Sequence, residues 1–238
     1  IADKFNVPIY ALALTNALIE SKLSEKCGEN NGIQLITVKA DDKVKCGVFT
    51  VEFIRVSHSI DDAVGFAIKT PVGTVVHTGD FKMDLTPVGG KIINLSRFAE
   101  LGKSGVLLLM SDSTNAERKG FTMSESSVGG VFDDIFSETP KNRIMVATFS
   151  SNIHRIQQIV NSAYKYGRKV AIIGRSMVNA VKTSIELDYL NMPDNTLIDI
   201  SEIKNYTDDK LVIITTGSQG ETMSALSRIA SNEHKQVS

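Results

Sequence analysis

Two side chains able to bind a metal ion stand where strands give way to loops. They are His58, in Val56-Ser57-His58-Ser59-Ile60, and Asp80, in Val75-Val76-His77-Thr78-Gly79-Asp80. Alternation over 49–56 predicts the strand before His58, with Phe49, Val51, Phe53 and Arg55 on one face. A second strand over 74–78 leads to Asp80. Imidazole and carboxylate together form a ligand pair suited to Zn²⁺ or Mn²⁺. Such residues at strand ends also serve as plain turn residues, so the pair does not define a site by itself. Asp112 ends the apolar run 105–110. It caps the following loop, or it orients a catalytic histidine as carboxylates do behind imidazoles. His77, inside a strand, reads as packed or hydrogen-bonded, His154 as exposed, and His234 as part of a polar tail.

The second half of the chain offers a different chemistry. Three predicted strand-to-helix turns carry small polar residues: Thr148-Phe149-Ser150-Ser151-Asn152, Gly174-Arg175-Ser176 and Thr216-Gly217-Ser218-Gln219-Gly220-Glu221. Free backbone N–H groups at helix starts attract phosphate, and the hydroxyls add donors. Arg155 and Arg175 are candidates for charge-assisted bonds. The same residues are ordinary helix caps that need no ligand. No G-x-G-x-x-G or full G-x-x-x-x-G-K-S/T is present, which argues against a dinucleotide or nucleoside triphosphate site.

The elements that would position these groups fall into two patterns. Up to about residue 120 the chain is strand-rich. Strands are predicted at 8–11, 33–38, 48–56, 64–70 and 74–78, with helices over 12–26 and 94–103 and a polar turn at 28–32. The continuous apolar run 105–110 predicts a buried strand. Residues 116–122 are charged and contain glycine, as a domain boundary would. Beyond them, strands at 143–149, 169–173 and 211–215 alternate with helices over 124–139, 152–166, 176–191 and 221–231. That alternation predicts a parallel sheet covered on both faces.

Composition bounds the rest. The 238 residues are 42% hydrophobic and 22% charged, as in an ordinary globular protein. The net charge of −1 gives no global basic field, so a nucleic-acid partner would need a local patch or a metal. Cys27 and Cys46 show neither metal-ligand spacing nor a disulfide framework, which suits a reducing cytosol. No apolar run reaches membrane-spanning length and no signal peptide is visible. The first ten residues lack an initiator Met and read as a helix end, a loop and a strand in mid-fold. The chain therefore reads as a piece of a longer one.

In order, Val56-Ser-His-Ser-Ile, His77-Thr-Gly-Asp-Phe-Lys, Met110-Ser-Asp-Ser-Thr-Asn, Ala147-Thr-Phe-Ser-Ser-Asn-Ile-His-Arg, Gly174-Arg-Ser-Met and Thr216-Gly-Ser-Gln-Gly-Glu resemble the ribonuclease J family. That family belongs to the β-CASP branch of the metallo-β-lactamase fold. The resemblance covers nearly the whole chain. It implies an α/β protein: a partial metallo-β-lactamase αβ/βα layer over residues 1–122, then an incomplete β-CASP parallel-sheet domain over 123–238. It implies that His58 and Asp80 are metal ligands, with Asp80 bridging two ions, and that Asp112 matches the first β-CASP motif. Phe149, Ser150 and Ser151, with Asn152 beside them, match a segment that contacts RNA near its 5′ end.

The implied activity is cleavage of RNA in maturation and decay, both 5′→3′ from a 5′-monophosphate and endonucleolytic. It would use two divalent ions, zinc by first choice or manganese, in a cytoplasmic homodimer or homotetramer. The family's H-x-H-x-D-H and S-G-H-A motifs are absent. The isolated chain is accordingly expected to bind metal weakly and to cleave no RNA. The competing reading is a catalytically inactive RNA-binding paralogue or scaffold subunit.

Overall fold

A computed structural model describes residues 7–28, 32–89 and 91–237. The reading of residues 1–6, and most of the turn predicted at 28–32, fall outside them. The chain divides into two compact units, Ile1–Ser124 and Glu125–Ser238.

The first unit is built on a five-stranded sheet. Its strands are β3 (Lys43–Cys46), β4 (Phe49–Arg55), β5 (Val64–Thr70), β6 (Gly73–His77) and β7 (Leu108–Met110), in that spatial order. All pairs are antiparallel except β6 with β7. The parallel pair is joined through helix α2 (Leu95–Ser104), the crossover that parallel neighbours require. Asn94 caps α2, its side-chain oxygen accepting the Arg97 N–H at 3.1 Å. Leu101 of α2 packs on Ile54, Ala67 and Val76 on one sheet face. On the other face, Phe53 packs with Leu12 and Val38, beside the parallel pair β1 (Ile9–Ala11) and β2 (Leu35–Thr37). Helix α1 (Ala13–Cys27) connects those two strands. Phe53 and Phe66 are cross-strand partners and meet edge to face at 5.4 Å, which helps to fix the register.

The register also places Glu52 of β4 against α2. Its buried carboxylate receives Arg97 through two bonds, Nε at 2.6 Å and Nη2 at 2.9 Å. The Arg97 hydrogen bond holds the Glu52 carboxyl below its ordinary value of 4.5. A lowered carboxyl stabilises the fold above that ordinary value, and the contribution is lost as pH falls through the depressed one. Arg97→Ala strands the carboxylate, and we expect a loss of about 3 kcal/mol near neutral pH. The deficit should shrink under acid conditions where Glu52 is protonated. Denaturant titrations of both proteins across pH would check it.

The second unit holds a four-stranded, all-parallel sheet in the order β10 (Leu197–Ile198), β9 (Lys169–Ile173), β11 (Leu211–Thr215), β8 (Ile144–Ala147). Every residue of β11 is buried. Helices α3 (Ser127–Glu138), α4 (Ile153–Lys165) and α5 (Arg175–Glu186) contribute Phe132 and Phe136, Ile156 and Ile159, and Met177 and Val181 to the buried set.

Three elements differ from the sequence reading. The apolar run at 105–110 predicts a buried strand, but β7 is an edge strand and Leu108, Leu109 and Met110 are half exposed. An apolar run signals burial only when something covers it. The helix predicted over 221–231 is the six-residue α6 (Ala225–Ala230), because residues 217–224 form a tight loop instead. Strand β3 reads as polar, since as an exposed edge its lysines face solvent. No described helix is long and apolar enough to cross a membrane.

Candidate functional site

Each unit carries its own set of sequence-predicted residues. In the first, the loop after β4 closes through a Val56 N–H bond to the Ala63 carbonyl at 3.1 Å, lifting His58 out of the sheet. His58 is half-buried and Asp80 exposed. Asp80 follows β6 through Thr78 and Gly79. The Thr78 N–H reaches the Met110 carbonyl at 3.0 Å, and the Thr78 hydroxyl accepts the Asp112 N–H at 3.0 Å. Gly79 has φ +62°, and a Cβ there would meet the Val64 carbonyl oxygen at 2.6 Å. Gly65 is as constrained, since its Cβ would sit 2.7 Å from the Thr78 oxygen. The start of β5 and the turn into Asp80 therefore approach backbone to backbone, which only glycine permits.

Two further hydrogen bonds join the loops bearing the three candidates. The Lys82 N–H donates to the Ser57 carbonyl at 2.7 Å, tying the Asp80 loop to the residue before His58. The Phe81 N–H reaches the Asp112 carboxylate at 3.4 Å. His58, Asp80 and Asp112 thus stand on three loops bonded to one another. Asp112 also accepts the Thr114 N–H at 2.9 Å and the Thr114 hydroxyl at 2.6 Å. The Thr114 hydroxyl is the main reason its carboxyl is held below the ordinary range, and the nearby His58 adds a smaller pull. In this structure Asp112 closes its own turn and props the residue after Asp80. The His77 Nδ1 accepts the Gly79 N–H at 3.0 Å, and its ring meets Phe66 edge-on.

Sequence reasoning missed Ser57, Lys82 and Asp84. Ser57 Oγ donates to the Lys91 carbonyl at 3.2 Å. The buried Asp84 stands 3.9 Å from Lys82 Nζ and accepts the Thr86 N–H at 3.0 Å. Ser57 and Lys82 lie inside the quoted motifs, and the signal for Asp84 was the polar density of 77–84. For a metal ion, His58 and Asp80 offer one imidazole and one carboxylate. Among the described residues no group of three or more His, Cys, Asp or Glu side chains could hold an ion. The donors fit part of a site.

In the second unit the three turns follow β9, β11 and β8, so strand order sets them side by side at the carboxyl edge of the sheet, where ligands of parallel sheets bind. The Thr148 N–H bonds the Thr215 carbonyl at 3.0 Å. The turns are not equivalent. After β8, Phe149 is exposed, Ser150 half-buried and Ser151 exposed, while Asn152 is buried and caps α4 by accepting the Arg155 N–H at 3.1 Å. The Asn152 and Ile153 N–H groups bond the Phe149 and Ser151 carbonyls. The Arg155 guanidinium pairs with Glu125. After β11, the Gly220 N–H bonds the Gly217 carbonyl and the Gln219 N–H bonds the Glu221 carboxylate at 3.2 Å, so an acid already sits there. After β9, Arg175 is exposed in the first turn of α5, whose N-cap Gly174 makes no side-chain cap. The expectation of three phosphate-ready turns therefore narrows. His154 is half-buried rather than exposed.

Comparison with known proteins gives a consistent answer. Residues 141–238 match the family described as ribonuclease J, beta-CASP domain. Ribonuclease J of Helicobacter pylori is 43% identical over 97% of this chain and 33% of its own length. Ribonuclease J of Thermus thermophilus is 44% identical over 97% of this chain and 40% of its own. Ribonuclease J2 of Bacillus subtilis is 40% identical over 99% of this chain and 42% of its own. The chain thus spans roughly a third to two-fifths of the length of these relatives. A crystal structure of an Enterococcus faecalis protein of unknown function superposes with a TM-score of 0.64, covering 87% of this chain and 53% of that one. At 18% identity that likeness shows the fold alone.

Proposed function

This chain belongs to the ribonuclease J family, with residues 141–238 in its β-CASP domain, and on that premise we propose that it is part of a metal-dependent ribonuclease hydrolysing RNA phosphodiester bonds. The observation that carries the reading is the identity of 43% that runs through both units, over 97% of the chain. The resemblance assigns cleavage both 5′→3′ from a 5′-monophosphate and within the RNA. His58 and Asp80 would hold divalent ions, with Asp80 between two of them and the remaining donors supplied by residues other than these. Bound there, the ions would supply a water activated near neutral pH and positive charge at the scissile phosphate.

The chain's own residues set the geometry. The Lys82–Ser57 bond holds the two ligand loops at a fixed spacing, and Asp112 fixes the peptide that follows Asp80. Phe149 offers an exposed ring on which a base can stack, with the Ser150 and Ser151 hydroxyls beside it for sugar or phosphate. Asn152 supports that turn as the cap of α4. Residues 1–122 are assigned to a metallo-β-lactamase-like layer. The metal is taken as zinc, with manganese the alternative. The assembly is taken as a homodimer or homotetramer, working in the cytoplasm. The inactive RNA-binding paralogue is disfavoured by the ribonuclease names of the relatives and by the presence of both His58 and Asp80.

The test is incubation of a ribonuclease J carrying this chain with 5′-monophosphorylated RNA, with and without a chelator. Nucleotide release that stops on chelation and returns with zinc or manganese is the expected result. Binding of RNA without cleavage under any metal would favour the scaffold reading instead.

A further inference from the structure

We infer that the outer end of the five-stranded sheet carries a second RNA-binding surface, formed by Lys43, Lys45 and Lys69, which belong to none of the motifs used above. The inference rests on the ribonuclease reading for its partner class, and on strand register for its geometry. Lys45 of β3 and Lys69 of β5 both lie opposite Thr50 of β4, and Lys43 lies opposite Glu52. Cross-strand partners share a sheet face, as do residues two apart, so the three lysines and Thr50 form one group. Strand geometry sets Lys45 and Lys69 about 10 Å apart and Lys43 about 7 Å along the strand from Lys45. All three lysines are exposed, and Thr50 is half-buried between two of them.

The charge on this face is unbalanced. Arg97, Lys43, Lys45 and Lys69 stand against the carboxylates of Glu52 and Glu100. Both carboxylates are bound to Arg97, at 2.6 Å in each case, and Lys43 stands 3.9 Å from Glu52. Asp42, at the strand start, turns its carboxylate back to the Lys39 N–H at 2.7 Å. Three ammonium groups with a hydroxyl among them match a run of phosphates on a flexible strand, and need no base contacts. A chain of net charge −1 has no general attraction for RNA, so a local cluster of this kind is what would draw the strand in.

The experiment is fluorescence-anisotropy titration of a labelled single-stranded RNA with the 238-residue chain over a series of salt concentrations. Wild type is compared with the triple variants K43Q/K45Q/K69Q and K43R/K45R/K69R. The expected result is a salt slope shallower in the glutamine variant by roughly 0.7 for each phosphate no longer neutralised, about 2 in all, with the arginine variant restoring it. An unchanged affinity and slope in the glutamine variant overturns the surface and leaves the ribonuclease reading standing. No RNA binding by wild type at any salt concentration overturns the surface and counts against the reading as well. A poly-glutamate probe bound as tightly as RNA of equal charge assigns the face to an acidic protein and overturns the proposal.

Discussion

Asp80→Ala is expected to abolish RNA cleavage by a ribonuclease J carrying this chain while leaving the fold intact. Asp80 is exposed, and its neighbours rather than its side chain make the bonds that hold the loop. Little stability is therefore lost with the carboxylate, as at other exposed sites away from buried networks. The chemical loss is large, because a carboxylate between two cations neutralises their mutual repulsion and sets their spacing. Removing an outer partner of a metal ligand costs about 10–100-fold in activity or affinity, and a bridging ligand must cost more. Turnover assays beside thermal melts check both halves. A variant with near wild-type turnover after metal is restored would remove Asp80 from the metal site.

Gly79→Ala should damage both stability and activity. At φ +62° an alanine is strained by about 1–2 kcal/mol, even in open space. Here the new Cβ would also stand 2.6 Å from the Val64 carbonyl oxygen, a backbone atom that cannot rotate away. Either β5 or the turn must move, and the total cost should exceed about 2 kcal/mol. The turn carries Asp80 with it, and a displacement near 1 Å in a catalytic group is worth about 10²-fold in rate. The two variants are thus distinguished by melting: Asp80→Ala loses activity alone, and Gly79→Ala loses both. A Gly79→Ala protein with wild-type melting would show that the close approach of the two loops is not needed.

Much of this architecture was legible because its signals are local. Strand β4 alternates in sequence, and β9 and β11 are short apolar runs bounded by glycine or polar residues, so their ends fall close to the expected positions. What was not legible depends on neighbours. Leu108–Met110 has the composition of a central strand and lies at an edge, since a run of leucines does not encode what lies beside it. Lys43–Cys46 is a strand because β4 pairs with it, not through its own propensity. At the candidate sites, His58, Asp80 and Asp112 were found from type and position, and the structure sets them on bonded loops. The bonds themselves, Lys82 to Ser57 and Phe81 to Asp112, involve backbone atoms that carry no sequence signal. The phosphate turns were over-read for a related reason. The sequence displays the hydroxyls and glycines, but not the Glu221 carboxylate on the Gln219 N–H or the Glu125 partner of Arg155.

His58 and Asp80 as metal ligands of a ribonuclease are the centre of the proposed function. The most direct test is the bound-metal content of a purified ribonuclease J carrying this chain, measured by mass spectrometry of the elements for wild type, His58→Ala and Asp80→Ala. Two divalent ions per chain are predicted in wild type, with a loss of metal in each variant, deeper for Asp80→Ala, and the folds retained. A full complement of metal in both variants would contradict the assignment.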